Sequence, residues 1–326
     1  MRLHGIKDAR IGDMIGEGSI PERVGASVFP PPALESAVQP VDSGQMTKLG
    51  IALQHLTEQD PLIGLRRGDR EGQLFLRLFG EVQKEVIAET LAIDFGIAVH
   101  FAESQVLHIE RPLGTGHGFE LIGSDENPFA ATVGIRIERA DIGSGIDYAY
   151  DPGSLPHAFY RATEETVMET LEQGLNGWPV TDCLVTLTDV GYWSSVTVAA
   201  DFRFLTPLVV MQALQEACTE VCEPVEAFAL DVPVETIGET LSALAVARAI
   251  TSDISRHGEM CHLSGTIPSA EVHHFEQRLP GISRGLGDWT STFKGYVPVA
   301  SVIPERTRIG RNPLNRKLYL AECAQS

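Results

Sequence analysis

Long apolar runs are missing from this 326-residue chain, and no stretch of roughly eighteen apolar residues is present to cross a bilayer as a helix. The opening residues, MRLHGIKDARIGD, are charged and broken by glycine, without the apolar segment of a secretory signal. Cysteine is scarce: five residues, an odd number, with no C-x-x-C pair. That excludes a disulfide framework and fits a reducing compartment. Cys218 and Cys222, four apart, could share a helix face, but no His or Cys pair at ligand spacing accompanies them. They are expected as buried apolar residues rather than as half of a zinc site. A soluble, cytoplasmic, monomeric protein with no membrane segment is the reading.

Positive charge is also short, with 25 Lys and Arg against 44 Asp and Glu, a net charge of −19. Residues 113–225 carry 4 basic and 17 acidic side chains, whereas residues 226–326 are nearly balanced at 10 and 11. Phosphate binding normally shows as an excess of basic residues, so broad electrostatic capture of nucleic acid is disfavoured and DNA is not an expected partner. The one basic feature is a C-terminal cluster that includes Arg308, Arg311, Arg316 and Lys317. A short cationic helix of this kind is usually solvated or packed internally.

Nucleotide and hydrolytic motifs are absent too. Neither Gly-Lys nor Asn-Lys occurs, which removes both a G-x-x-x-x-G-K-[ST] phosphate loop and an N-K-x-D guanine reader. The nearest glycine-rich stretch, GTGHG at Gly114 to Gly118, lacks the lysine and reads as a flexible link between modules. No serine stands in G-x-S-x-G, and His273 and His274 have no partner nucleophile. Glu165, Glu169 and Glu172 share a helix face opposite the apolar stripe, so they read as solvated surface. No catalytic residue and no metal ligand is expected.

What is present is a regular alternation of helix and strand. FPPPAL (Phe29 to Leu34) reads as an extended linker. From about residue 46, Leu49, Ala52, Leu53 and Leu56 recur at helical spacing, and QLFLRLFG alternates as a strand. A helix follows with Val82, Val86 and Leu91 toward one side, stopped by Gly96 ahead of the strand IAVHF. Near the C-terminus VEAFALDVP, a helix through Leu244, two further strands, a helix capped by Ser269 and stopped by Gly281, and STFKGYVPV give βαββαβ. Between them lie the strand ATVGIRIER, a helix from Pro156, the strand DCLVTLTDV, and a helix capped by Thr206 and opened by Pro207. That middle block is a mixed α+β layer.

Several phrases resemble one family. ALQHLTEQDPLIGL, LFGEVQKEVI and FAESQVLHIERP are similar to the third domain of elongation factor G and its tetracycline-resistance ribosomal protection relatives. ENPFAATVGIRIE, GSGIDY, QGLNGWPVTDC and ADFRFLTPLVV resemble the fourth domain, and LSGTIPSAEVHHFEQRLPGISRG with FKGYVPV the fifth. The tail RNPLNRKLYL resembles the C-terminal helix of actinomycete members.

The resemblance implies an α+β, multidomain fold. Residues 1–45 would be the remnant of a β-barrel with its linker, 46–112 a ferredoxin-like module, and 113–224 a ribosomal protein S5 domain 2-like module. Residues 225–300 would form a second ferredoxin-like module and 301–326 a basic tail. It further implies that GTP and magnesium, used by the family, are held by a domain upstream, so this chain binds no cofactor and does not hydrolyse GTP by itself.

The implied partner is the ribosome, at the factor-binding site and at the small-subunit RNA of the decoding centre, where the family displaces tetracycline. Three middle-block loops would form the reaching tip: Ala140 to Gly145 with Gly143 and Ser144, Asp151 to Pro156 with Gly153, Ser154 and Leu155, and Tyr192 to Val198. In the last, Tyr192, Trp193, Ser194, Ser195 and Val196 carry the contact, by stacking and hydrogen bonding. The family often has proline where Ser195 stands and tyrosine where Trp193 stands. Arg308, Arg311, Arg316 and Lys317 are implied as a second RNA contact. The alternatives are an elongation factor G-type translocation factor and a stand-alone, GTPase-free ribosome-binding module.

Overall fold

The computed structural model describes residues 32–60, 63–68, 73–150, 155–300 and 302–325. Residues 1–31 of the expected barrel remnant and linker (residues 1–45), and the loop residues Gly153 and Ser154, lie outside the described residues. The chain groups into two compact units, one joining the residues up to Leu107 with Pro224–Gly295, the other His108–Glu223 with Tyr296–Ser326.

The first module comprises β1 (Leu34–Pro40), α1 (Met46–Gln59), β2 (Gly64–Arg67), β3 (Leu74–Leu78), α2 (Glu81–Asp94), β4 (Val99–Phe101) and the short β5 (Gln105–Val106). Its sheet runs β2-β3-β1-β4, with β5 also on β1. The module thus starts at Leu34, not at residue 46, and β1 is an inner strand paired with β3 from Leu34↔Leu78 to Val38↔Leu74. The sequence hides this strand because two of its buried positions are polar. Glu35 accepts from Arg66 Nε at 2.9 Å, and Ser36 donates to the Ala102 carbonyl at 2.7 Å. Leu49, Ala52 and Leu53 of α1 are buried as their spacing predicts. In α2 the inward stripe is Ile87 and Leu91, whereas Val82 and Val86 are exposed, one position off the expected face.

The middle module has β6 (Ile109–Pro112), β7 (Gly116–Glu120), β8 (Ala131–Arg139), β9 (Ile146–Tyr150), α3 (His157–Leu171), β10 (Cys183–Tyr192) and α4 (Ala199–Ala217). The sheet order is β7-β8-β10-β9, with β10 antiparallel to β8 and parallel to β9. Ile135, Ile137, Val185, Val167, Leu205 and Val209 are fully buried in one core between this sheet and α3 and α4. Each such side chain contributes about 1.5–3 kcal/mol relative to exposure.

Two expectations for this module change. GTGHG is not a flexible link: Gly116 and Gly118 open β7, where an added Cβ would stand 2.0 Å from the Ala213 carbonyl oxygen and 2.1 Å from that of Val209. The glycines let the strand lie directly against α4. The helix expected to start at Thr206 starts at Ala199 and runs through Pro207. Proline withdraws the N–H that the Arg203 carbonyl would accept, and in the same turn the Phe204 carbonyl accepts from the Tyr319 hydroxyl at 2.8 Å.

Cys218 ends α4 with left-handed backbone (φ 55°) and is exposed, while Cys222 is buried in β11 (Thr219–Pro233). The two do not share a helix face. Thr219 to Cys222 pair with β6, and Val225 to Pro233 pair with β13 (Met260–Pro268). Around β11 and β13 the last module adds α5 (Ile237–Val246), β12 (Ile250–His257), α6 (Ser269–Ile282) and β14 (Asp288–Pro298). Its order, β12-β13-β11-β14, repeats the permutation of the first sheet. Phe228, Leu230, Leu244, Leu263 and Phe275 make its core. Ser269 is the first residue of α6 after Pro268 rather than its cap, and α6 continues through Gly281. The architecture is α+β, two ferredoxin-like modules flanking a mixed module, with a last helix α7 (Arg316–Cys323) in the tail.

Candidate functional site

Strand directions sort the three candidate loops. β10 starts at Cys183, beside Ile146 of β9 and Arg139 of β8, and ends at Tyr192, beside Ala131. Tyr192 to Val198 and the segment Leu121 to Ala130 before β8 therefore share one end of the sheet. Ala140 to Gly145 lies at the other end. There Asp182 Oδ1 accepts from the Gly143 and Gly145 amides at 2.9 and 3.2 Å. Gly143 and Ser144 are exposed, but they are not at the end that carries Tyr192. A ten-residue strand separates the two ends, about 33 Å at the usual rise.

At the Tyr192 end, Tyr192, Trp193, Ser194, Ser195 and Val196 form an unbroken exposed run, with Trp193 50% and Val196 59% accessible. The run is fixed at its exit. The Thr197 hydroxyl, on a buried residue, donates to the Ala130 carbonyl and accepts from the Trp193 amide at 2.9 Å. Asp201, in the first turn of α4, accepts from the Val198 amide at 2.8 Å and, through its other oxygen, from the Ala130 amide at 3.1 Å. An acidic side chain in that turn also suits the helix dipole. The ADFR phrase is thus the anchor of the loop. At the entry, the Tyr192 ring meets Phe159 edge-on at 5.6 Å, and Phe159 stacks on Phe202 at 5.0 Å. Leu155 is half-buried against the same core.

The segment Leu121 to Ala130 is the part of this end that sequence reasoning missed as a loop. Asn127 organises it: Nδ2 donates to the Leu121 and Ala131 carbonyls at 3.1 and 2.9 Å, and Oδ1 accepts from the Phe129 amide at 2.9 Å. Gly123, with φ 77°, lies against the indole of Trp193, where an added Cβ would be 3.4 Å from Cζ2. The available signal was ENPFAA itself, read as family resemblance rather than as an asparagine-locked turn. Residues 121–130 and 192–198 hold Asp125, Glu126 and no Lys or Arg. Chemistry at this end therefore rests on aromatic faces, hydroxyls and backbone groups.

Glu165 and Arg203 face each other on α3 and α4, and the hydrogen bond from Arg203 lowers the Glu165 pKa. Burial raises that of Tyr148. No group of three or more His, Cys, Asp or Glu among the described residues is arranged to hold a metal ion.

QGLNGWPVTDC belongs to the opposite end. Glu110, fully buried on β6, accepts from the Asn176 and Trp178 amides at 2.8 and 3.1 Å and from the Thr219 hydroxyl at 2.7 Å. Gly174 has no room for a side chain, since an added Cβ would be 2.6 Å from Val180 and 2.7 Å from Glu110. The motif is a structural joint.

The tail arginines are engaged within the unit. Arg308 donates to the Gln173 and Gly174 carbonyls at 2.7 and 2.5 Å, capping the end of α3, and burial lowers its pKa. Arg311 lies over the Phe204 ring at 5.4 Å. Arg316 forks onto Glu120. Lys317 is exposed. A surface cluster waiting for phosphate is not what these contacts describe.

Comparison with known proteins gives the family. Elongation Factor G domain III matches residues 29–103, Elongation factor G domain IV residues 109–218, and the Elongation factor G C-terminus residues 220–307. The chain belongs to the elongation factor G-related family and carries these three domains in order. Within it, the chain is homologous to tetracycline resistance proteins. It is 41% identical over 325 residues to the oxytetracycline resistance protein of Streptomyces rimosus, covering 97% of this chain and 48% of that one. It is 33% identical to the tetracycline resistance protein TetP of Clostridium perfringens, covering 98% and 49%. A solved structure from Thermus thermophilus aligns with a TM-score of 0.58 at 25% identity, covering 95% of this chain and 46% of that one. The chain thus spans about half the length of the relatives it matches. No helix among the described residues is long and apolar enough to cross a membrane.

Proposed function

We propose that this chain is the ribosome-contacting portion of a ribosomal protection protein, and that the Tyr192 end of its middle module enters the decoding region of the small subunit and competes there with tetracycline. In this reading the chain supplies reach and contact, while GTP and magnesium are handled by a GTPase region outside these 326 residues. The observation that carries it is the exposed run from Tyr192 to Val196, pinned through Thr197 and Asp201 to the Ala130 backbone. A loop ordered before contact loses little conformational freedom on binding. With no basic residue on residues 121–130 and 192–198, its affinity for RNA comes from stacking and hydrogen bonding rather than phosphate neutralisation.

The test grafts this chain in place of the matching half of the Streptomyces rimosus protein and measures translation in tetracycline. The graft restores synthesis, and Tyr192→Ala with Val196→Ala brings it back to the level without factor. A double variant that still protects removes this loop from the mechanism. A graft that drives translocation without relieving the drug favours the elongation factor reading.

A further inference from the structure

We infer that Arg316 is a positioning residue through which the C-terminal helix sets the geometry of the Leu121 to Ala130 loop, and with it the seat of Trp193. The Arg316 guanidinium donates to Glu120 Oε1 at 2.5 Å and Oε2 at 3.2 Å, and its Nη2 donates again to the Glu126 carbonyl at 2.6 Å. Glu120 ends β7, and Glu126 lies six residues on, so one side chain clamps both arms of the loop. Between them Gly123 lies against the Trp193 indole. A planar fork on a carboxylate fixes direction as well as distance, which a single ammonium contact does not. The Glu120 carboxylate is mostly withdrawn from solvent, 10% exposed, so screening of the pair is reduced.

The clamp has a fixed base. Asn315 caps α7, its side chain accepting from the Leu318 amide at 3.2 Å. Tyr319 and Cys323 are buried against Leu208 of α4, and the Tyr319 hydroxyl bonds to the Phe204 carbonyl. α4 also carries Asp201, which holds the Val198 amide. Both loops at this end are therefore referenced to one helix, one directly and one through α7 and Arg316. The clamp itself does not depend on the ribosomal reading; only its consequence for drug displacement rests on it.

Hydrogen exchange on the full chain, without ribosomes, tests the clamp. Arg316→Ala should speed exchange of amides in residues 120–127 by about ten-fold, the scale of one lost charge-assisted fork. Residues 199–217 should keep their wild-type rates, and Arg316→Lys should fall between. Glu120→Gln, which leaves α7 untouched, should reproduce the loop effect and serves if the arginine variant fails to fold. Unchanged loop exchange in both variants overturns the inference. So does equal acceleration at Phe204 to Leu208, which would make Arg316 an anchor of α7 rather than of the loop. If the loop loosens as expected yet the grafted Arg316→Ala protein still relieves tetracycline fully, the clamp stands and the tip reading fails.

Discussion

The Arg111 guanidinium and the Asp182 carboxylate form an ion pair, Nε to Oδ2 2.6 Å, with each side chain 4% exposed. It sits at the start of β10, the strand whose far end carries Tyr192. The remaining Asp182 oxygen holds the Ala140 to Gly145 turn, and an Arg111 Nη donates to the Tyr296 carbonyl at 3.2 Å. Removing one partner strands a buried charge. Asp182→Ala should cost about 3–5 kcal/mol, and an apolar replacement of both partners should recover only the part due to the stranded charge, since the Gly143 and Gly145 amides still lose their acceptor. Chemical unfolding of the middle module measures it. A loss under about 1 kcal/mol would show that solvent reaches the site.

Gly118 and Gly143 should respond differently to alanine. At Gly118 the new Cβ meets the Val209 carbonyl oxygen at 2.1 Å, so β7 must move off α4, at about 3 kcal/mol, the upper range for overpacking. Gly143 has φ 84° and open space around it, so alanine there costs only the left-handed backbone penalty of about 1–2 kcal/mol. Thermal unfolding of the two variants gives the ranking. A smaller loss at Gly118 than at Gly143 would mean that β7 can move off α4 at little cost.

Among the five thiols, Cys218 alone is exposed. Maleimide labelling of the native protein near neutral pH should give one fast adduct per chain, lost in Cys218→Ser. Burial pushes the Cys183 thiol up to about 12 from the ordinary 9.0. A raised value favours the protonated form in the folded state. Its contribution to stability is therefore complete below about 9 and lost as the pH rises through about 12. Labelling at Cys183 should appear only with unfolding in alkali. A second fast adduct at pH 8 contradicts the burial.

The periodic elements were legible because burial and spacing agree in them. Leu49, Ala52 and Leu53 of α1 and the alternation of β3 needed only the local pattern. β1 was not legible, since Glu35 and Ser36 occupy buried positions that partners far along the chain make tolerable. GTGHG misled because glycine signals mobility and close approach alike, and only the Ala213 and Val209 carbonyls decide between them. For the candidate site, the exposed aromatic and hydroxyl run at Tyr192 to Val196 was readable. That Ala140 to Gly145 lies at the opposite end of the sheet from Tyr192 was not, because loop composition carries no strand direction. Arg316 read as a cation for RNA, and its partners stand 196 and 190 residues away.

The unit that bears the Tyr192 end is assembled from two stretches of chain, with Pro224–Gly295 between them. During synthesis the surface under Tyr319 and the Trp178 indole, which donates to the Pro304 carbonyl at 2.6 Å, must wait uncovered until the later stretch leaves the exit tunnel. A nascent polypeptide halted near Gly295 would hold every strand of the middle sheet yet miss Arg308, Arg316 and Tyr319. Nonsense mutations late in the gene should therefore yield an incompletely folded product, rather than a shorter one of full competence.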